Sequence, residues 1–347
     1  MMLFRCALES DIEQINFLAK NSGVGMTTLP KNKKLLIKRI LWSTKSYQKE
    51  VQQPDDEYYL FVLEDLQTNK IVGTSAIEAR IGYRVPFYSY KVSKRTRICH
   101  SLKIKSDYNV LSLVNDNQGH SEICTLFLMP EYRKNNNGLL LSKARFLFMA
   151  HAPHRFAPTV IAELRGVSDE KGQSPFWTHV GEHFFHMPFA KADALTLATN
   201  KQFIADLMPR NPIYVSLLPK EAQDAIGKPH PSAVPAMNIL LKEGFRYNKY
   251  IDIFDAGPTI EAPLSEIKTI ENSRVMVIKN ICDEVSNHHF LLANNLLNFR
   301  ATTGKALLNI EQNTCTISKE TADLLKVQCG DELRIGPLQT QAPSLIA

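Results

Sequence analysis

The chain has no apolar run approaching the ~20 residues that cross a bilayer, so no membrane-spanning helix is expected. Its first residues, Met-Met-Leu-Phe-Arg-Cys-Ala-Leu-Glu, lack the charged-then-apolar order of a secretory signal, and a cytoplasmic protein is expected. The cysteines Cys6, Cys99, Cys124, Cys282, Cys315 and Cys329 include no Cys-x-x-Cys pair. In a reducing compartment they read as free thiols in or near cores, not as a disulfide framework. Repeats and low-complexity tracts are absent. The net charge of +6 is mild and suits an anionic ligand or simply a basic surface. Its densest runs, Lys31–Arg39 and Lys91–Arg97, read as a solvated helix face and a solvated loop. Aromatic residues do not interleave with them as a nucleic-acid stacking platform requires, so no nucleic-acid partner is expected.

What is present centres on Glu122–Met149. Ile123–Met129 has the apolar, β-branched and aromatic pattern of a buried strand. Pro130 ends it, because proline cannot donate to a ladder. Arg133–Gly138 is a polar, Asn-rich turn, and helix formers follow from Leu139. Strand, polar turn and helix make an anion site: the first helical amides lack internal partners and the dipole adds positive charge. Asn and Gly suit the turn because they tolerate left-handed backbone. The turn has neither the Gly-Lys-Ser/Thr of a Walker loop nor the Gly-x-Gly-x-x-Gly of a dinucleotide fingerprint.

Arg133-Lys-Asn-Asn136-Asn-Gly138 resembles the Arg-x-x-Gly-x-Gly pyrophosphate loop of the GCN5-related N-acyltransferases, with Asn136 at the first glycine. Ala236–Phe245 resembles the late helix and Gly-Phe segment of that fold, with Leu240 where a proton-donating Tyr is usual. Further segments, Gly25–Pro30, Cys124–Leu128, Gly138–Lys143, Ser174–Trp177, Leu207–Pro209, Pro212–Tyr214 and Tyr250–Asp255, together resemble the arginine N-succinyltransferases, collinearly from about residue 1 to 269. The resemblance implies an α/β fold with a mixed central sheet flanked by helices. It also implies transfer of the succinyl group of succinyl-CoA to the α-amino group of L-arginine, by direct attack and without a metal. A homodimer, or a heteromer with a paralogous subunit, is expected by the same resemblance. An ornithine or other amino-acid acyltransferase, and a non-catalytic CoA-binding sensor, are the alternatives.

The rest of the chain fits around that core. Phe4–Ala7 reads as a strand, and Ser10-Asp-Ile-Glu13 as a capping box opening a helix with Ile12, Ile15, Leu18 and Ala19 on one face. A helix over Leu35–Glu50 and a hairpin of Leu60–Leu63 with Ile71–Ile77 follow. Arg80–Val114 carries no clear pattern; Tyr83, Phe87, Tyr88 and Tyr90 read as packing residues. Thr159–Leu164 is the next parallel strand. Residues 166–229 read as a mostly helical insertion within an acyltransferase domain of residues 1–260. Met237–Glu243 is a helix stopped by Gly244, Arg246–Phe254 is a strand, and residues 261–347 form a small β-rich part.

By the resemblance, the site combines several groups. Leu126, through its backbone, with Phe127 and Leu128, would hold the pantetheine arm and thioester. Arg133, Lys134, Asn136, Asn137 and Gly138 would hold the pyrophosphate. His230, in Gly227-Lys-Pro-His-Pro231, would be the proton donor in place of the missing Tyr. Imidazole suits that task because its ordinary pKa is near neutrality. Thr27 and Thr28 would line the acceptor site. A guanidinium needs carboxylates; Glu122 and Glu163 rank first, with Asp252 and Asp255 behind. Cys124 reads as a buried small residue with nothing nearby in sequence to activate it. A rival motif, His179-Val-Gly-Glu-His183, matches the H-x-x-E-H spacing of zinc hydrolases. Gly181 weakens that helix, and no distant third ligand is evident.

Overall fold

The computed structural model describes residues 1–23, 26, 28–169, 172–198, 202–285 and 288–339. Strands β1 (Met2–Cys6), β2 (Tyr58–Asp65), β3 (Lys70–Glu78), β4 (Ser89–Cys99), β5 (Ile104–Val114), β6 (Ser121–Leu128), β7 (Thr159–Glu163), β8 (Ile213–Tyr214), β9 (Arg246–Ile251) and β10 (Pro258–Pro263) belong to the first two thirds. β11 (Arg274–Cys282), β12 (His289–Asn294), β13 (Arg300–Asn309), β14 (Thr314–Ser318) and β15 (Glu332–Pro337) follow. The helices are α1 (Ile12–Asn21), α2 (Lys33–Gln48), α3 (Asn137–His151), α4 (Pro175–His179), α5 (Gly181–Phe185), α6 (Phe189–Ala198), α7 (Gln202–Leu207), α8 (Lys220–Ala225), α9 (Val234–Lys242), α10 (Lys268–Glu271) and α11 (Lys319–Leu325).

One sheet runs β13-β1-β2-β3-β6-β7-β10-β9-β4-β5-β8. Alternation in β2 sorts its side chains between two layers. Tyr59, Phe61 and Leu63 pack with α3 residues Leu147 and Phe148 on one face. Tyr58, Leu60 and Val62 pack with Ile15, Leu18, Leu36 and Ile40 of α1 and α2 on the other. The helix α3 is buried on most sides, as its sequence predicts. The expected mixed sheet between helices, with a helical insertion and a β-rich end, is what the chain forms. The last strands pair in a ring, β12-β15-β11-β14-β13 with β13 returning to β12, around Met276, Phe290, Leu292 and Ile317. Register Phe4↔Ala301 joins this ring to the central sheet.

Several local expectations change. The helix α1 is not opened by Ser10 and Glu13: the Asp11 carboxylate accepts from the Leu8 amide at 2.8 Å and pairs with Arg5 at 2.7 Å. The helix α2 is capped by Asn32, whose Oδ1 accepts from the Lys34 and Leu35 amides. Lys91–Arg97 is no loop. It forms most of β4 in a long hairpin with β5, its charges on exposed strand faces. Arg39 leaves the solvated face of α2 and lies over the Tyr58 ring, 5.3 Å from its centroid.

A buried ion pair holds α3 in place. Lys143 Nζ lies 3.0 Å from Glu243 Oε1, at the end of α9, and donates to the carbonyls of Pro337 and Leu338. Both side chains are almost fully enclosed. Removing one partner of such a pair strands a charge in the core. Lys143→Met is therefore expected to lower unfolding free energy by about 3–5 kcal/mol in a denaturant titration.

Candidate active site

The site begins where two parallel strands part. β6 and β7 pair only at Ser121↔Val160 and Glu122↔Ile161, and from Ile123 onward β6 runs free of β7. On its other side β6 stays paired to β3, but the register shifts between Thr74 and Ala76. That bulge is centred on Thr125, with φ of +57°. A β-branched residue in left-handed backbone costs about 1–3 kcal/mol. The surroundings offset it: the Thr125 carbonyl accepts from Thr74 Oγ1 at 3.1 Å, and its hydroxyl bonds Tyr58 Oη at 3.1 Å and the Thr28 carbonyl at 3.3 Å. A bulge re-aims the backbone of the following residues, here Leu126, Phe127 and Leu128 at the opening.

The polar turn stands at one end of that opening. Asn135 and Asn136 take positive φ, +52° and +62°, so asparagine does occupy the glycine-like position as expected. The N-cap Asn136 contributes no side-chain acceptor; the Asn137 amide turns back to the Lys134 carbonyl, and those of Gly138 and Leu139 are left open at the start of α3. A Cβ on Gly138 would meet nothing within 4 Å, so open space lies before it. Arg133 is steered by a bond from its Nε to the Leu128 carbonyl at 3.0 Å.

Between them lies a cleft of about 640 Å³. Leu126, Phe127, Leu128, Arg133, Lys134, Asn136 and Gly138 all line it, as do Thr28, Glu122 and Glu163. Asn137 does not; its amide and side chain donate within the turn, to the Lys134 and Tyr132 carbonyls. Thr27 lies outside the described residues. Asp252 and Asp255 also line the cleft while holding its wall: Asp252 accepts from the Phe254 and Asp255 amides, and Asp255 from those of Gly166 and Gly257. That wall is a close backbone crossing, in which a Cβ on Gly257 would sit 2.0 Å from the Leu164 carbonyl.

His230 is not among the residues that line the cleft but sits beside two that do. Its backbone amide donates to the Arg165 carbonyl at 2.7 Å, and Gly166 bridges Pro229 beside it. Its Nδ1 accepts from the Ser232 amide at 3.1 Å. Arg165 and Ser232 both line the cleft. In the other tautomer Nδ1 donates to Ser232 Oγ at 2.7 Å, and Nε2 is then free to take a proton. Partial burial, and then the Arg165 charge, hold the imidazole below its ordinary pKa. Leu240 is buried in the cleft wall, so no hydroxyl stands at the usual tyrosine position. Burial pushes the Cys124 thiol far up, leaving it protonated and inert.

Sequence reasoning missed Arg145, Arg165 and Phe189 in the lining. Arg145 carried a usable signal: it is a permanent cation within a helix apolar on most faces. The rival zinc motif falls apart on geometry. α4 ends at His179 and the chain breaks at Val180, so His179 and His183 do not share one helix face. His179 instead pairs with Glu221.

The arginine N-succinyltransferase beta subunit family matches residues 2–269, and its C-terminal domain matches residues 274–337. The chain is 41% identical to an arginine N-succinyltransferase of Photorhabdus laumondii, over 96% of this chain and 98% of that one. It is 41% identical to the arginine N-succinyltransferase subunit beta of Pseudomonas aeruginosa, over 98% and 99%. The solved structure of arginine/ornithine succinyltransferase subunit AI from Pseudomonas aeruginosa superposes with a TM-score of 0.89 at 37% identity, covering 98% and 99%.

Thiol labelling checks the burial of the site. In the native protein at pH 8, exposed Cys99 and Cys329 are expected to react with a small disulfide reagent first. Cys124 is expected to stay unlabelled until unfolding; fast labelling there contradicts the geometry.

Proposed function

The chain belongs to the arginine N-succinyltransferase family, and we propose that it transfers the succinyl group of succinyl-CoA to the α-amino group of L-arginine, giving N2-succinylarginine and CoA. The observation that carries this is the parted β6–β7 pair with an open helix N-terminus at one end, a slot for a pantetheine arm ending in a pyrophosphate. The near-complete, mutual coverage of relatives named for this activity supports it. Succinyl-CoA is a co-substrate, and no metal takes part.

The residues divide the work. Arg133, Lys134, Asn136 and Gly138 hold the pyrophosphate, over a turn that Asn137 closes. The backbone of Leu126, Phe127 and Leu128 holds the pantetheine amides and polarises the thioester carbonyl. Thr27, Thr28, Glu122 and Glu163 receive arginine, the carboxylates facing its guanidinium. The neutral α-amine attacks the thioester carbon, forming C–N as a tetrahedral oxyanion. His230, neutral and basic, takes the proton that the nitrogen sheds. As the C–S bond breaks it delivers that proton to the CoA thiolate, so one imidazole serves as base and then as proton donor. No acyl-enzyme forms. Residues 1–260 are the acyltransferase domain, with its insertion at about 166–229, and 261–347 the β-rich C-terminal part. The protein is cytoplasmic and a homodimer or a heteromer with a paralogous subunit; the beta-subunit name of the relatives speaks for the heteromer. Among the described residues no helix is long and apolar enough to cross a membrane.

Thiol release from succinyl-CoA, with arginine, ornithine or no acceptor, tests the reading. Arginine-dependent release is expected, lost by on the order of a hundredfold or more in His230→Ala and retained in Cys124→Ala. Release with ornithine alone moves the acceptor; no release despite CoA binding means a sensor. Because His230 sits below its ordinary pKa, its acid limb in kcat is expected below about pH 6.5: activity falls as the ring gains a proton. That limb is expected to vanish in His230→Ala. A limb that persists there belongs to another group.

A further inference from the structure

Arg145 is 1% exposed, two turns into α3, yet it lines the cleft. Its Nε donates to the Ser142 carbonyl at 3.0 Å and one terminal nitrogen to Ser142 Oγ at 3.1 Å, both within its own helix. No carboxylate pairs with it among the described residues. Arg145 is therefore unlike buried Lys143 beside it, which is matched by Glu243. A guanidinium remains charged in any protein, and burying it without a counter-ion is costly. Burial lowers its pKa to about 10, which still leaves it a cation at neutral pH. The orphan charge is thus shaped to receive an anion.

Position decides which anion. By helical rise Arg145 lies about 12 Å along the axis from the first residue of α3, too far to serve the pyrophosphate at the turn. Leu141 lies one turn before it on α3, and Cys124, close enough to act on its charge, stands two residues past Glu122↔Ile161, the last pair before β6 and β7 part. A guanidinium-bearing acceptor is also repelled by Arg145. What reaches the parting of the strands is the acyl chain of the thioester, whose carbonyl sits at the Leu126 backbone.

We propose that Arg145 binds the terminal carboxylate of the acyl chain and so selects a dicarboxylic acyl-CoA over a neutral one of equal length. This rests on the succinyl-transfer reading above. Its fork makes a bidentate pair with a carboxylate, while Ser142 holds the stem in place. A neutral chain leaves the buried charge unmatched and is rejected.

The test compares succinyl-CoA with butyryl-CoA, the same chain with a methyl group for the carboxylate, at saturating arginine, in the native protein and in Arg145→Met. The native enzyme is expected to prefer succinyl-CoA. In Arg145→Met the succinyl-to-butyryl ratio of kcat/KM is expected to fall on the order of a hundredfold, with butyryl transfer and arginine KM held or improved. An unchanged ratio, or equal loss with both donors, overturns the proposal while leaving the succinyl-transfer reading intact; no succinyl transfer by the native enzyme fails that reading first. If Arg145→Met does not fold, Arg145→Lys keeps the charge but loses the fork. A selectively raised KM for succinyl-CoA there supports the assignment, and an unchanged one overturns it.

Discussion

The fold depends on a strand that must stop pairing. β6 is buried on both faces and bonded to β3 along its length, yet it leaves β7 after two register pairs. Unpaired backbone in a protein interior is costly unless something else satisfies it. Here the unpaired edge faces a cleft, so water in the free protein, and ligand amides in the complex, take the place of a strand. The Thr125 bulge is the device that makes this work, and it is sustained by Tyr58, Thr74 and Thr28 from three other elements. Much of the rest is scaffolding. The helix α3 is locked by Lys143–Glu243, the wall is set by Asp255 between Gly166 and Gly257, and the His230 loop is tied to the end of β7.

The cleft lining is charged. Arg133 and Lys134 are exposed at the surface, where a charge costs little to solvate, and in the proposed function they meet the pyrophosphate. Arg145 is buried in the lining, where an unmatched charge is costly. Glu122, Glu163, Asp252 and Asp255 place the opposite sign on the lining. One cleft thus carries charges of both signs, as an anionic donor and a cationic acceptor would need.

The sequence made the anion turn legible because its chemistry is local. Asn135, Asn136 and Gly138 are needed for backbone geometry, and no distant contact overrides them. The α3 helix and the strand pair β6 and β7 were legible from hydrophobic pattern. The β4–β5 hairpin was not: its outer half is solvated on both faces, so Lys94, Arg95 and Arg97 erase the alternation that marks a half-buried strand. The Ser10 cap failed because Arg5, brought in by β1, claims Asp11 and turns the chain earlier. His230 was placed by resemblance; nothing in a Pro-flanked histidine states that a bridge from Gly166 to Pro229 sets it beside the cleft lining. Arg145 was visible as a charge in an apolar helix, but its lack of a counter-ion is a three-dimensional fact.

The central claim is that the unpaired edge of β6 and the first turn of α3 together form the CoA site. Amide hydrogen exchange with and without CoA measures this most directly. The account predicts new protection at Ile123–Leu128 and at Asn136–Leu139 when CoA is added, with β2 unchanged. Protection confined to other segments, with those two stretches unaltered, would contradict it.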